Sequence, residues 1–186
     1  MLSTIRTKVR NAIQDNGIND YETFTAGSGD TFTISEENVS TVTSVTVNGS
    51  ALESGDYSYD SSSQIVTLGS GEVSSGDTVV IYYTYYKYSD SELTAYIKRA
   101  LMELDANRYS PHFDISGTNV YPIPTAKEQN LIAMICKIII NPNWSEYRTA
   151  SVTVKYPKTI DKDEKIRKLI SWFKMSTGEI GTIDLE

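Results

Sequence analysis

The sequence contains no lysine or arginine between Arg10 and Lys87, although the 186-residue chain has 17 basic residues. Eleven of its 24 carboxylates lie in that same stretch. The net charge of −7 is therefore the sum of a strongly acidic stretch and a weakly basic remainder. Such a complete separation of charge along a chain is typical of one module inserted into another.

Cysteine and histidine are almost absent, with one residue of each. Cys136 has no partner for an intrachain disulfide, and with His112 it cannot complete a metal site of the usual N/S kind. Cys136 shares an apolar helical spacing with Ile132 and Ile139, which indicates core packing, and His112 follows a proline in a loop. The two G-x-G pairs do not open helices, so phosphate binding is disfavoured. We predict no catalytic residue, no metal, no cofactor and no enzymatic activity.

Long apolar runs are also missing. The longest, from Leu131 to Ile140, is interrupted by Lys137 and is too short to cross a bilayer. The first residues do not resemble a signal peptide. We expect a soluble product, made in the cytoplasm and without membrane contact.

Helical periodicity marks both ends of the chain. It predicts a first helix over 2–15 that closes at Asn16-Gly17. Capping boxes open two further helices, at Ser89 with Glu92 and at Thr125 with Glu128. The remaining predicted segments are a long loop over 107–124, a strand over 150–156, a last helix opened by Asp161, and an extended tail over 176–186.

The middle of the chain has strand periodicity instead. Short alternating segments with turns roughly every 8–12 residues are typical of a small antiparallel sandwich or barrel. Asn48-Gly49 after the run 42–47 is the strongest hairpin signal. We therefore predict an α+β protein, in which an α-helical bundle domain (1–16 plus 88–186, with the tail 176–186) carries an inserted antiparallel β-sandwich or barrel domain (17–87).

Seven tyrosines cluster in two predicted strands of the insert, five of them between residues 82 and 88. Cross-strand aromatic packing is the favoured interpretation. The alternative is a stacking platform for sugars, because the acidic insert repels nucleic acid. A carbohydrate- or surface-binding module of the secreted type is therefore the alternative function.

Basic residues concentrate on the helices. They are Arg6, Lys8, Arg10, Lys98, Arg99, Lys155, Lys158, Lys162, Lys165, Arg167, Lys168 and Lys174. A solvated helix face is the usual meaning of such runs. A basic surface for an acidic partner or DNA is the other, and the interleaved carboxylates near the C-terminus favour protein contacts.

The third helix is apolar nearly all round, so it must be buried on more than one side. Packing between subunits and cover by its own chain both satisfy that requirement. The apolar tail adds to the case for assembly, since such a strand normally pairs with something. The candidate interface residues are Leu131, Ile135, Ile138, Ile139, Ile180, Ile183 and Leu185.

The order of these parts resembles the head–tail connector (adaptor) proteins of tailed bacteriophages. The run Tyr88-Ser-Asp-Ser-Glu-Leu-Thr-Ala-Tyr-Ile-Lys-Arg-Ala-Leu101 is similar to the early helix of that family. The insert is similar to a β module of many phage structural proteins through segments 45–52, 55–57 and 76–83. Compact adaptors join their first helices by a short loop, so the resemblance implies nothing about the role of the insert.

The resemblance implies a non-enzymatic homo-oligomeric ring, a dodecamer, in the neck of the virion beneath the portal. The portal protein and the next neck or tail protein are the implied partners. Double-stranded DNA would pass non-specifically through the channel of the ring. An acidic module suits such a position, because like charge keeps the duplex from adhering.

Overall fold

A computed structural model describes residues 1–148, 152–156, 160–175 and 181–184. The chain divides into two compact units. Unit 1 comprises Met1–Asp15 and Ser89–Glu186, and unit 2 comprises Asn16–Tyr88. Unit 2 is thus inserted in the sequence of unit 1, with ends one residue outside the predicted 17–87. The chain combines helices with several antiparallel sheets, which confirms the mixed α+β class.

Unit 1 contains four helices and five short strands among its described residues. They are α1 (Leu2–Ile13), α2 (Asp90–Ala106), β8 (Asp114–Ser116), β9 (Asn119–Tyr121), α3 (Ala126–Ile140), β10 (Glu146–Arg148), β11 (Val152–Lys155), α4 (Lys162–Met175) and β12 (Gly181–Asp184). Helix α3 packs against α1, α2 and α4. No helix in the described part of the chain is long and apolar enough to cross a membrane.

Helix α1 ends earlier than predicted, because Gln14 takes a left-handed conformation with φ 62°. The Asp15 N–H then donates to the Arg10 carbonyl at 3.0 Å, which satisfies a terminal acceptor of the helix. Gly17 therefore does not cap the helix. A Cβ there would lie 2.7 Å from Thr84 Cγ2, so the glycine serves a close approach within unit 2.

Both predicted capping boxes are confirmed. The hydroxyls of Ser89 and Thr125 accept from the backbone N–H groups of Glu92 and Glu128, whose carboxylates accept from the cap N–H groups in return. Each box satisfies donors that have no partner within the helix. The starts of α2 and α3 are thus determined by local sequence.

The structure corrects the predicted loop over 107–124, because β8 and β9 form a hairpin within it. Gly117 supplies the positive φ of 58° that the turn requires. Near the C-terminus β11 pairs antiparallel with β10 and parallel with β12. The predicted strand over 150–156 is thus present as Val152–Lys155, and the described part of the tail is a strand.

Unit 2 consists of seven strands. They are β1 (Ile18–Thr25), β2 (Thr31–Thr33), β3 (Val39–Val47), β4 (Ser50–Ala51), β5 (Tyr57–Asp60), β6 (Ile65–Leu68) and β7 (Thr78–Tyr85). One sheet has the order β1-β7-β3-β4 and the other β2-β6-β5. Asn48 and Gly49 both have positive φ, so the predicted β3–β4 hairpin is confirmed. The strands of residues 16–88 form two separate sheets and do not close into a barrel.

The core of unit 2 draws on both sheets. Val45, Ile81 and Tyr83 from the first sheet join Phe32 and Val66 from the second in one apolar cluster. All five are at most 6% exposed. The inward residues of β7 alternate with outward ones, as a half-buried antiparallel strand requires.

Candidate functional site

The two residues considered for nucleophilic chemistry lie in different environments, Cys136 in the core and His112 at the surface. Cys136 is fully buried in α3, and this burial raises the pKa of its thiol. His112 lies in an exposed loop with Nδ1 2.6 Å from Asp105 Oδ1, as predicted for a hydrogen-bonding loop residue. Among the residues that the structure describes, no three His, Cys, Asp or Glu side chains are grouped so that they could hold a metal ion.

The predicted interface residues of α3 belong to the core of a single chain. Leu131, Ile135 and Ile138 have no exposed surface, and Ile139 is 9% exposed. The burial that suggested subunit packing is thus supplied by α1, α2 and α4 of the same chain. These four side chains are not available to a partner, so the prediction of assembly has to rest on other surfaces.

The other three predicted interface residues, Ile180, Ile183 and Leu185, belong to the C-terminal tail. Ile183 lies in β12, in register with Val154 of β11. Ile180 and Leu185 lie outside the described residues. The pairing that the apolar tail was expected to require is therefore provided, for its described part, by a strand of the same chain.

Two arginines of α1 join the two chain segments at which unit 1 is interrupted. Arg10 binds Asp15, whose side chain is only 1% exposed, and also binds Asp90 at 3.0 Å. Arg6 binds the second oxygen of Asp90 at 3.0 Å. Because Asp15 and Asp90 lie at the two edges of the interruption, these ion pairs hold its ends together from within unit 1.

Beside this cluster lies a groove of about 620 Å³ within unit 1. It is lined by Met1, Leu2, Ser3, Arg6, Asp90, Ser91, Thr94, Gly117 and Thr118. The Arg6 Nε is buried without a hydrogen-bond partner in the described part of the chain. The guanidinium is bound to Asp90 through Nη1 at 3.0 Å, and the buried Nε is not accessible to a side chain of another protein.

Sequence reasoning placed Lys165 on a solvated face, whereas the structure buries it to 2% exposure. Its Nζ donates to the carbonyls of Pro142 and Trp144 at 2.6 and 2.9 Å. Burial lowers the pKa of this lysine. The missed signal is the spacing, since Lys165 lies four residues before Leu169 on the apolar stripe of α4.

In unit 2 the tyrosines separate onto the two faces of the first sheet. Tyr83 points inward, is 2% exposed and donates to Glu22 Oε1 at 3.1 Å. Burial, and then this contact with Glu22, raise the pKa of Tyr83. Tyr82 points outward and lies opposite Tyr21, with ring centroids 5.7 Å apart and planes tilted by 38°. The cross-strand contact of Tyr82 is thus with Tyr21, which was not one of the seven clustered tyrosines, whereas the ring of Tyr83 contacts Tyr85 of its own strand.

No protein-family model matches the chain, and no curated protein sequence matches it either. The function has to be inferred from the residues and the fold.

Proposed function

We propose that this chain is a non-enzymatic structural protein of a tailed-bacteriophage virion, a head–tail connector (adaptor) located in the neck beneath the portal. The observation that carries the proposal is the order of elements in unit 1. Unit 1 has the order α1, α2, the β8–β9 hairpin, the apolar helix α3, strands β10 and β11, and α4. Unit 2 is inserted between α1 and α2. The resemblance to adaptors rests on the same order, with a long loop expected in place of the β8–β9 hairpin and one late strand in place of β10 and β11.

In the proposed architecture unit 1 is the helical bundle that forms the ring, and unit 2 is a two-sheet sandwich that decorates it. The shared apolar cluster of the two sheets supports the sandwich. Core residues of α3 are fully used within one chain, so subunits would meet through surface residues. The groove beside Arg6 is the candidate for docking the portal or the next neck protein, because the Arg6 side chain contributes a cation to its lining.

The charge of unit 2 fits passage of DNA without adhesion. Unit 2 carries ten carboxylates and a single lysine, Lys87. Proteins that hold nucleic acid neutralise phosphates with lysine and arginine, and this unit has almost none to offer. We therefore expect unit 2 to contribute no measurable affinity for double-stranded DNA at physiological salt.

Assembly is the decisive test. The full chain is examined by native mass spectrometry and negative-stain microscopy, alone and coexpressed with the portal protein of the same phage genome. A closed ring, with twelve subunits as the implied number, is expected alone or on the portal. A chain that stays monomeric in both samples at high concentration would rule out the connector role.

A docking variant sharpens the same test. Arg6→Glu reverses the charge at the groove and is expected to weaken portal association at least tenfold, because it repels an acidic partner. Arg99→Glu changes the same charge elsewhere on unit 1 and serves as the control. Equal loss in both variants would show that overall charge, and not the groove, governs association.

A further inference from the structure

The outward face of the first sheet of unit 2 carries no charged side chain. On this face, here called the neutral face, register places Ala51 of β4, opposite Thr46, and eleven residues of β1, β3 and β7. They are Asn19, Tyr21, Thr23, Thr25, Thr41, Ser44, Thr46, Thr78, Val80, Tyr82 and Thr84. A surface of hydroxyl, amide and aromatic groups is unexpected in a unit with ten carboxylates, which lie instead on the opposite face of β1, in β5 and in the turns and loops.

Two of these residues expose large rings that the fold does not require. Tyr21 is 58% exposed and Tyr82 is 40% exposed, whereas Tyr83 between the sheets is 2% exposed. Exposed tyrosine offers a large, rigid contact surface at a small cost in side-chain entropy, and its hydroxyl adds a polar group. The cross-strand pair therefore forms a continuous aromatic surface across β1 and β7.

A groove of about 380 Å³ adjoins this surface. It is lined by Asn19, Asp20, Tyr21, Thr43, Ser44, Tyr82 and Tyr83. This volume lies within the range of about 300–1,000 Å³ for small-molecule sites. The Asn19 amide and the hydroxyls of Thr43 and Ser44 provide both donors and acceptors beside the two exposed rings.

The charges of unit 2 restrict the class of ligand that can bind in this groove. Asp20 is the only charged residue of the lining, and the nearest basic residues in the sequence are Arg10 and Lys87. A phosphate, sulfate or uronate would have no cation to meet and would be repelled by the carboxylates of the unit. The ligand that matches is uncharged, rich in hydroxyl groups and apolar on one face.

We propose that the neutral face of unit 2 binds an uncharged glycan chain. A sugar ring stacks its C–H face on Tyr21 and Tyr82, while its hydroxyls bind the Asn19 amide and the hydroxyls of Thr43 and Ser44. Binding is reversible and involves no chemical step. This site is independent of the connector role, because it uses unit 2 alone.

Affinity gel electrophoresis of the full chain tests the proposal with neutral polysaccharides of different backbones: dextran, hydroxyethyl cellulose, galactomannan and laminarin. At least one is expected to retard the chain, with little dependence on salt because no ion pair is formed. Tyr21→Ala and Tyr82→Ala are expected to weaken the retardation at least tenfold each. Tyr121→Ala, which removes an exposed tyrosine of unit 1, is the matched control and is expected to change nothing.

Amide chemical-shift mapping of the wild-type chain with the retarding glycan adds a measurement that needs no variant. Shifts are expected at β1, β3 and β7 around Tyr82. The proposal is overturned if none of the four polysaccharides retards the chain, or if retardation persists when both tyrosines are replaced. It is also overturned if only a cationic glucosamine oligomer binds, or if Tyr82→Ala changes the oligomeric state instead, which would assign the face to a protein contact.

Discussion

Unit 1 and unit 2 hold their carboxylates in different ways. In unit 1 the buried carboxylate of Asp15 is bound by the guanidinium of Arg10, which also binds Asp90. In unit 2 the Glu22 carboxylate accepts from the Ser35 N–H and hydroxyl at 2.9 and 3.0 Å. The buried carboxylate of the helical unit is thus held by an ion pair, and Glu22 of the β unit is held by neutral donors.

Neutral donors also bind the carboxylates in the turns of unit 2. Asp60 accepts from the hydroxyls of Ser62 and Ser63 at 2.7 and 2.8 Å. Asp77 accepts from the Asn48 amide at 2.7 Å and from the Ser74 N–H at 2.7 Å. These hydrogen bonds lower the pKa of both aspartates. An acidic unit with a single basic side chain can therefore fold because serine, asparagine and backbone groups stabilise its carboxylates.

The largest effect is expected from a charge placed in either core. Ile135→Asp in unit 1 and Ile81→Asp in unit 2 each bury an unpaired carboxylate, at a cost of about 3–5 kcal/mol. Both sites have no exposed surface. If the units fold independently, hydrogen exchange followed by mass spectrometry will show loss of protection only in the unit that carries the change. Loss in both units from either variant would contradict two separate cores.

The next effect tests the ion pairs of unit 1. Arg10→Ala removes the partner of a nearly fully buried carboxylate and is expected to destabilise unit 1 by about 3 kcal/mol. Arg6→Ala, the control, breaks only the contact with the exposed Asp90 and is expected to cost less than about 1 kcal/mol. Urea denaturation measures both. Equal losses in the free energy of unfolding would show that the Arg10–Asp15 ion pair stabilises unit 1 no more than the exposed pair of Arg6 with Asp90.

A smaller effect is expected when the hydrogen bonds from neutral donors to a carboxylate of unit 2 are weakened. Glu22→Gln keeps the shape but weakens hydrogen bonds from Ser35 and Tyr83 to a charged acceptor, with an expected loss of about 1–2 kcal/mol. The urea midpoint of unit 2 is the measurement. Glu37→Gln, an exposed change in the same unit, is expected to have little effect. An unchanged midpoint in Glu22→Gln would mean that the carboxylate is not needed there.

The stability of unit 2 is expected to fall in acid as the turn carboxylate of Asp60 is protonated. The hydrogen bond from the Ser62 side chain, followed by those from the Ser62 and Ser63 groups, lowers the pKa of Asp60 from 3.8 to about 2. The stability from this depressed pKa is present above the unfolded pKa and is lost as pH falls from about 4 to about 2. Asp60→Asn is expected to flatten that part of the stability profile of unit 2, measured by urea midpoints at several pH values. Ser62→Ala should reproduce the change in part, and a profile unaltered in both would refute the assignment.

The smallest effect is expected from excision of residues 16–88 and their replacement by a short Gly/Ser linker. The ion pairs of Arg10 with Asp15 and Asp90 lie entirely in unit 1 and remain. We expect a cooperative circular-dichroism melt with a Tm within about 5 °C of unit 1 in the full chain, equivalent to about 1 kcal/mol. Loss of cooperative structure would show that the inserted unit is required for folding.

Local patterns predicted much of this molecule. The capping boxes at Ser89 and Thr125 located two helix starts, because their partners lie three residues away. Asn48-Gly49 located a hairpin, because its positive φ values are a property of those residues. The absence of lysine and arginine from 11–86 located the insertion, since composition follows the sequence and not the fold.

Contacts between distant residues were decided only by the tertiary structure. Arg10 meets Asp90 across 80 positions, and Tyr21 meets Tyr82 through strand register that no local pattern specifies. Likewise, the sequence determined that α3 must be buried, but only the packing of α1, α2 and α4 decided that its own chain covers it. Hydrophobic periodicity shows which side of a helix or strand is buried. Which part of the protein covers that side depends on how the whole chain packs.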